Sequence, residues 1–596
     1  MNEPARPRSA PRDTLSAAIR REPGAVVISL LLFAFLGVTL LLPIANVMKS
    51  GFVTRDGELS FEYLTLVLSD PVLGGGLVKA AGIAVATTLL ATMIALPLAL
   101  LSVRFEFPGR ALVSGLVLLP LILPPFVGAI GLRQVLGRFG PLSTLFAEGN
   151  PTGVDWLGSL RVYGVIAVEA LSLYPVVLLN LQAALANIDP TLERAARNLG
   201  ASSARTFFEI TLPLARPGLF AGATLVLIWS FTELGTPLMF QVYDVTPVQV
   251  FNLLSEMENP IPHALVLVML VASALLYFVG RVLLGRSTLI DGGKSAVSRA
   301  PRRLGGVRAA LALLPFVLVL SVSLLPHLSV VLTSLSTPGG WYKAILPSSF
   351  TLEHFASALN DDLVMPSSFG GNVSLGAVGN SMLYASAATA IGVVAAVSAA
   401  IVIVRSRLRV RFALDVLTML PLAVPGLVLA FGYLSISVAI KRELGPLAPA
   451  FTDAQRFPVV LLILAYAARR LPYIVRSAVA GLEQTPPILE LAARNLGASR
   501  SRAVRDITLP LIFSSVLAGA LMAFSFALLE VSDSLILAQT AEYYPITKAI
   551  WELSQRLGDG IHVASALGVW AMALLFLTLL TAGALLGRKA GGLFRL

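Results

Sequence analysis

The chain contains no cysteine. That excludes disulfides, thiol nucleophiles and cysteine-ligated metal centres. Its four histidines, His263, His327, His354 and His562, are scattered without the spacing a metal site needs. Charge is scarce: Asp, Glu, Lys and Arg make up 13% of the 596 residues, while 56% are hydrophobic. A soluble domain carries about 25% charge. No soluble fold of this length could hide so much apolar surface, so the solvent for this chain is lipid. Enzyme signatures are missing too. No Gly-x-Ser-x-Gly nucleophile turn occurs. Gly293-Lys294-Ser295 looks like the end of a phosphate-binding loop, but Thr288 stands where the first glycine belongs and no strand precedes it. Acidic residues are outnumbered 33 to 44, for a net charge of +11. The basic surplus lies in short loops, where it reads as membrane orientation rather than nucleic-acid binding.

What is present is a series of apolar runs. Most have the roughly 20 residues needed to cross a hydrocarbon core. Twelve spans are expected: 25–47, 77–103, 111–135, 161–184, 218–240 and 262–285, then 309–334, 374–404, 411–439, 457–481, 514–538 and 561–587. The tenth is interrupted by Arg469, Arg470 and Arg476. If the spans alternate, the arginine-rich loops all fall on one side, including Arg104/Arg110, Arg405–Arg411 and both chain ends, while Asp56, Glu58, Glu62, Asp244, Glu256, Glu258, Asp361 and Asp362 fall on the other. Both termini are therefore expected in the cytoplasm. The first run, about 23 residues with no small-x-small cleavage site after it, reads as a retained anchor. The expected fold class is all-α membrane protein, about twelve transmembrane helices as two six-helix repeats of parallel topology. The expected layout is a cytoplasmic tail (1–24), a first repeat (25–285), a cytoplasmic linker (286–308), a second repeat (309–587) and a short tail (588–596).

The repeat is explicit in one polar segment. Pro190–Leu214 reads PTLERAARNLGASSARTFFEITLPL and Pro487–Leu511 reads PILELAARNLGASRSRAVRDITLPL, identical at 17 of 25 positions. Each copy predicts a helix capped by Asp189 or Thr485, ending at Gly200 or Gly497 in a conformation with φ > 0. A second short helix follows from Ser202 or Ser499 to the prolines Pro213 and Pro510, which open the next span. Small residues (Ala195, Ala196, Ala492, Ala493) allow close approach of a partner. Other marks recur: Leu119-Pro120-Leu121 with Pro124 as Leu420-Pro421-Leu422 with Pro425, prolines expected to kink their spans.

The repeated segment resembles the EAA loop of membrane subunits of binding-protein-dependent ATP-binding-cassette importers. Ile210 and Leu212-Pro213 stand at the pattern's distances from Gly200, as do Ile507 and Leu509-Pro510 from Gly497. The pattern's glutamate position holds Arg194 and Leu491, with Glu193 and Glu490 one residue earlier. The resemblance implies a fused type I importer permease in the bacterial inner membrane, with EAA loops at about 186–217 and 483–513. It implies two copies of a cytoplasmic ABC ATPase and a periplasmic or lipid-anchored solute-binding protein as partners. Hydrolysis would then lie on a separate chain, and this one would carry no cofactor and no metal. ATPase coupling would fall to Glu193, Ala195, Ala196, Gly200, Leu212 and Pro213, and to Glu490, Ala492, Ala493, Gly497, Leu509 and Pro510. Within the group that handles ferric iron, thiamine and phosphonates, ferric iron is the expected solute; thiamine, aminoethylphosphonate, a sugar phosphate or a polyamine are the alternatives. A secondary transporter shares the twelve-span pattern but has no use for paired docking loops.

Charged residues inside spans face a pathway or a partner, because an exposed charge in hydrocarbon is costly. Glu233 and Glu530, equivalent under the repeat, and Asp533 are the expected pathway residues. The alternative is a structural ion pair, for example of Glu169 with Arg469 or Arg470.

Overall fold

A computed structural model describes residues 22–53, 58–122, 124–146, 153–158, 161–256, 259–284, 301–359, 374–449, 452–454 and 457–586. Most of the expected N-terminal tail, the C-terminal tail, residues 286–300 of the expected linker, and Asp56, Glu258, Asp361 and Asp362 lie outside these residues. Among the described residues, nine helices are long and apolar enough to cross a bilayer: Pro23–Phe52, Leu73–Arg104, Arg161–Ala186, Ser203–Phe231, Pro260–Gly280, Gly306–Leu335, Gly376–Arg405, Arg500–Leu528 and Gly560–Thr578. Two further spans are broken pairs, Arg110–Leu121 with Pro125–Phe146 and Val410–Leu422 with Gly426–Leu444. The arginine-bearing helix Val459–Gln484 completes the set of twelve. The class is therefore all-α, two six-span repeats.

The third and ninth spans are broken more sharply than the proline kinks expected. In the third the two pieces meet at 93°. Pro124 there is extended (φ −65°, ψ 128°) and Pro125 starts the next helix. Pro425 (φ −57°, ψ 136°) does the same before Gly426. Proline lacks an N–H and pushes its predecessor out of the helical region, so these prolines end one helix and start another rather than bending a continuous one.

The described residues gather into two compact units. One draws on Met1–Leu42, Thr389–Leu422 and Ala467–Ala523; the other on Pro43–Ala388, Ala423–Tyr466 and Phe524–Leu596. Within the first unit, Leu32 and Leu36 of the first span share a core with Ala395, Ala396, Ala399, Ala400 and Leu414 of the second repeat. Ser406 Oγ donates to Glu22 Oε2 at 2.7 Å there. Within the other unit, Ala309, Ala312 and Phe316 of the seventh span enter a core with Leu98, Tyr174 and Leu181 of the first repeat. The leading span of each repeat thus packs on helices of the other repeat. The end of the linker is also tied down. Arg302–Arg303 pairs in parallel with Phe105–Glu106, and Arg303 Nε lies 3.1 Å from Glu106 Oε2.

The third and seventh spans cross at Gly131, where a Cβ would fall 1.8 Å from the Pro326 carbonyl oxygen. Gly131→Ala is therefore expected to destabilise the fold by about 1–3 kcal/mol through overpacking. Thermal unfolding in detergent reads this. Gly82→Ala, where a Cβ meets nothing within 4 Å, is the matched control and should not lower the midpoint.

Candidate functional site: two docking segments and paired helix breaks

Each repeated segment folds as helix, glycine, helix. In the first, Pro190–Asn198 is capped by Asp189, whose carboxylate accepts from the Thr191 N–H at 2.8 Å. That hydrogen bond holds the Asp189 carboxyl below its ordinary pKa. In the second, the helix is Ile488–Asn495 and starts after Pro487 with no side-chain cap. Thr485 is not the cap expected; its hydroxyl donates back to the Gly481 carbonyl at 2.9 Å, because two prolines follow it and delay the helix start. Gly200 (φ +88°) and Gly497 (φ +92°) take the left-handed conformation. Their neighbours close the helix end: the Ala201 N–H bonds the Ala196 carbonyl and the Ala498 N–H bonds the Ala493 carbonyl, both at 3.0 Å. Ser202 and Ser499 then cap the second helices, accepting from the N–H groups of Arg205 and Arg502.

These second helices do not stop at the prolines. Each passes through a five-residue π-turn, Phe207–Thr211 or Val504–Thr508, directly into the following span. A wider turn absorbs the bond that Pro213 or Pro510 cannot donate. The docking segment is thus one piece with the fifth or eleventh span.

The two faces of each segment differ. Ala195 and Ala492 are exposed and Ala196 and Ala493 half-buried. Beside each glycine a leucine stands almost wholly in solvent, Leu199 at 89% and Leu496 at 90%. The two leucines hold equivalent positions in the two copies. The repeated Asn-Leu-Gly was the available signal for them. The opposite face holds Glu193, 3% exposed. Its Oε1 accepts from Arg104 Nη2 at 2.7 Å and from Thr211 Oγ1 at 2.7 Å, and Arg104 Nη2 also reaches Thr211 Oγ1 at 3.1 Å. In the second copy, Glu490 Oε1 accepts from Thr508 Oγ1 at 2.8 Å and from Arg405 Nε at 3.3 Å. The two glutamates turn inward, toward the ends of the second and eighth spans. The sequence reading took Arg104 and Arg405 only as loop charges that set orientation; their pairing with the glutamates was missed because they lie 301 residues apart, four out of register with the repeated segments. Leu212 and Leu509 are half-buried at the start of their spans, beside half-buried Pro213 and exposed Pro510.

The intramembrane acids lie at interruptions, not within continuous helices as expected. The fifth span ends at Phe231, and a short helix, Gly235–Met239, follows. The eleventh ends at Leu528, followed by Ser532–Leu537. Glu233 and Glu530 occupy the two gaps. The two breaks lie close together: a Cβ on Gly235, which opens the first short helix, would fall 2.7 Å from the Val531 side chain, just before the second. Irregular backbone at membrane depth survives only where protein or a cavity surrounds it. Glu233 lines a small cavity with Ala80, Ile83, Ser230, Phe231, Pro237, Val245 and Pro247, and its Oε1 accepts from the Thr236 N–H at 3.4 Å. Glu530 is 5% exposed, and its carbonyl accepts from Thr547 Oγ1 at 2.7 Å. Asp533 is fully buried in the short helix. Glu169, also fully buried, takes hydroxyl donors, Thr87 at 3.4 Å and Ser230.

The described residues thus form a two-repeat helical bundle that carries two copies of one exposed helix–glycine–helix segment and two matching helix breaks. Residues 88–287 and 388–589 match the family of binding-protein-dependent transport system inner membrane components, and the chain belongs to that family. Both matches begin after the exchanged first and seventh spans. The chain is 26% identical over 525 residues to the ferric transport system permease protein FbpB of Actinobacillus pleuropneumoniae, covering 85% of this chain and 69% of that protein. It is 34% identical over 264 residues to a probable molybdenum ABC transporter permease protein of Haloferax volcanii, covering 43% and 93%. It is 30% identical over 181 residues to the sulfate transport system permease protein CysT of Salmonella typhimurium, covering 29% and 63%. The chain is accordingly a multi-pass inner-membrane permease subunit of an ABC importer, a family that works with a separate ATPase and a solute-binding protein.

Proposed function

We propose that this chain forms the whole translocation pathway of a ferric-iron importer, with one ATPase copy docked on each of the segments around Gly200 and Gly497. The observation that carries this reading is the outward face of each segment, Leu199 or Leu496 beside a glycine-closed helix, with the segment continuous with a span. ATPase closure would draw on these two faces and rock the repeats around the helix breaks at Glu233 and Glu530. The coupling contacts would come from Ala195, Ala196, Gly200, Leu212 and Pro213 and their counterparts Ala492, Ala493, Gly497, Leu509 and Pro510, with Glu193 and Glu490 holding the segments from within. Both termini would face the cytoplasm, a binding protein would deliver solute outside, and ATP would be used only by the partner.

Three acids at the central breaks, Glu233, Glu530 and Asp533, suit a cation better than a dianion, because like charge in a low-dielectric site repels strongly. Iron delivered in this way is cargo. The relatives named for molybdenum and sulfate favour a second reading, an oxyanion. The test is reconstitution of the chain with its ATPase and binding protein in proteoliposomes. ATP-dependent uptake of radiolabelled ferric iron is expected, with no uptake of molybdate or sulfate. Uptake of either oxyanion and none of iron refutes the iron assignment; uptake without the ATPase refutes the importer itself.

A further inference from the structure

Each docking segment is joined by the chain to only two spans, the fourth and fifth or the tenth and eleventh. The structure supplies a third connection in both repeats. Arg104 is the last residue of the second span, Leu73–Arg104, and Arg405 is the last of the eighth, Ser374–Arg405. Both helices are 32 residues long and both end on the arginine that grips the segment's glutamate, buried in the first copy and half-buried in the second. The threonine of the π-turn closes the contact in each case, Thr211 or Thr508. Arg405 Nη2 also bonds the carbonyls of Leu482 and Thr485, 3.2 and 2.7 Å away, at the end of the tenth span. In the first repeat Gln182 Nε2 of the fourth span reaches Ser102 Oγ of the second at 2.7 Å. Removing one partner of a partly buried charge pair costs more than breaking an exposed one, because it leaves a poorly solvated charge behind.

The second span runs on from this contact to the intramembrane acids. Thr87, 17 residues before Arg104 and so about 25 Å along the helix, donates to the buried Glu169. One continuous helix, with Pro97 between the two contacts, therefore joins the docking segment to the buried Glu169.

We propose that Arg104 and Arg405 are positioning residues that clamp the second and eighth spans to the docking segments, so that each ATPase stroke moves three spans as one body instead of two. The proposal rests on the reading of these segments as ATPase docking elements. Without the clamps the ATPases would still dock and hydrolyse, but the stroke would be lost between the loop and the pathway.

The absence of native cysteine allows the link to be cut and remade. In the full complex with ATPase and binding protein, R104C/E193C and R405C/E490C remove both members of each pair together, leaving no orphan buried charge. Solute taken up per ATP hydrolysed is the readout. With the thiols free, that ratio is expected to fall about tenfold, within the usual range for a coupling effect. A short bis-thiol crosslinker should restore it to near the wild-type value, and reduction should abolish the gain. An unchanged ratio with free thiols, or a fall that crosslinking does not reverse, overturns the clamp. If the cysteine variant does not assemble, Thr211→Val with Thr508→Val replaces it, and an unchanged ratio there overturns the clamp as well. A wild-type complex with no ATP-driven uptake of iron, molybdate or sulfate refutes the importer reading, and the clamp with it; the wild-type arm thus separates the two failures.

Discussion

Valine at both Gly200 and Gly497 is expected to lower ATP-dependent uptake by about a hundredfold, the size of loss that roughly 1 Å of misplacement produces in a working site. The cause is local. At φ +88° and +92° a residue with a Cβ pays about 1–2 kcal/mol against the following carbonyl, and a branched one sits worst. Crowding by neighbours plays no part, since a Cβ at either position meets nothing within 4 Å. The strain is relieved only by giving up the helix-closing bonds to the Ala196 and Ala493 carbonyls, which would re-aim Leu199 and Leu496 and separate the ATPase from its seat. Asparagine tolerates the left-handed region, so Gly200→Asn with Gly497→Asn should keep most of the uptake. Proteoliposome uptake and co-purification of the ATPase measure both variants. Equal uptake by the valine variant and wild type would remove the docking role from these segments.

The second large effect is expected at the helix breaks. E233Q/E530Q preserves shape and hydrogen-bonding reach while removing two charges from the centre of the bundle. Uptake should fall at least about tenfold, with the permease still extracted as an intact complex. The Thr236 N–H and Thr547 hydroxyl that mark the two breaks have acceptors that glutamine or the backbone still provides. The result that defeats this expectation is normal transport by the doubly neutral protein. The sharper form of the same test is solute selectivity. Loss of charge should relax discrimination against molybdate and sulfate if the acids repel dianions.

Much of the docking segment was legible in the chain. Asp189, Ser202 and Ser499 cap helices as their side chains dictate, and Gly200 and Gly497 adopt φ > 0 as a helix end followed by Ala-Ser requires. These features depend on contacts within a few residues, so local chemistry decides them. The failures share a cause as well. Thr485 looked like a cap, but the two prolines after it left its hydroxyl nearer the Gly481 carbonyl. The fifth and eleventh spans looked continuous because hydropathy does not register a break; Phe231 and Leu528 end their helices where the opposing repeat, through Val531 and Gly235, fills the gap.

Composition and the repeat thus determined that this chain lives in lipid, spans it in two matched sets of six and carries two copies of one helix–glycine–helix element, because solvent preference and short-range caps are properties of residues and their near neighbours. The tertiary structure alone decided that the first and seventh spans cross to the other repeat, that Glu193 and Glu490 face Arg104 and Arg405 instead of solvent, and that the two helix breaks lie close together. An apolar helix in hydrocarbon is nearly indifferent to which apolar neighbour it takes, so partner choice rests on close fits such as Gly131 on Pro326 and on a few buried polar contacts between residues hundreds of positions apart.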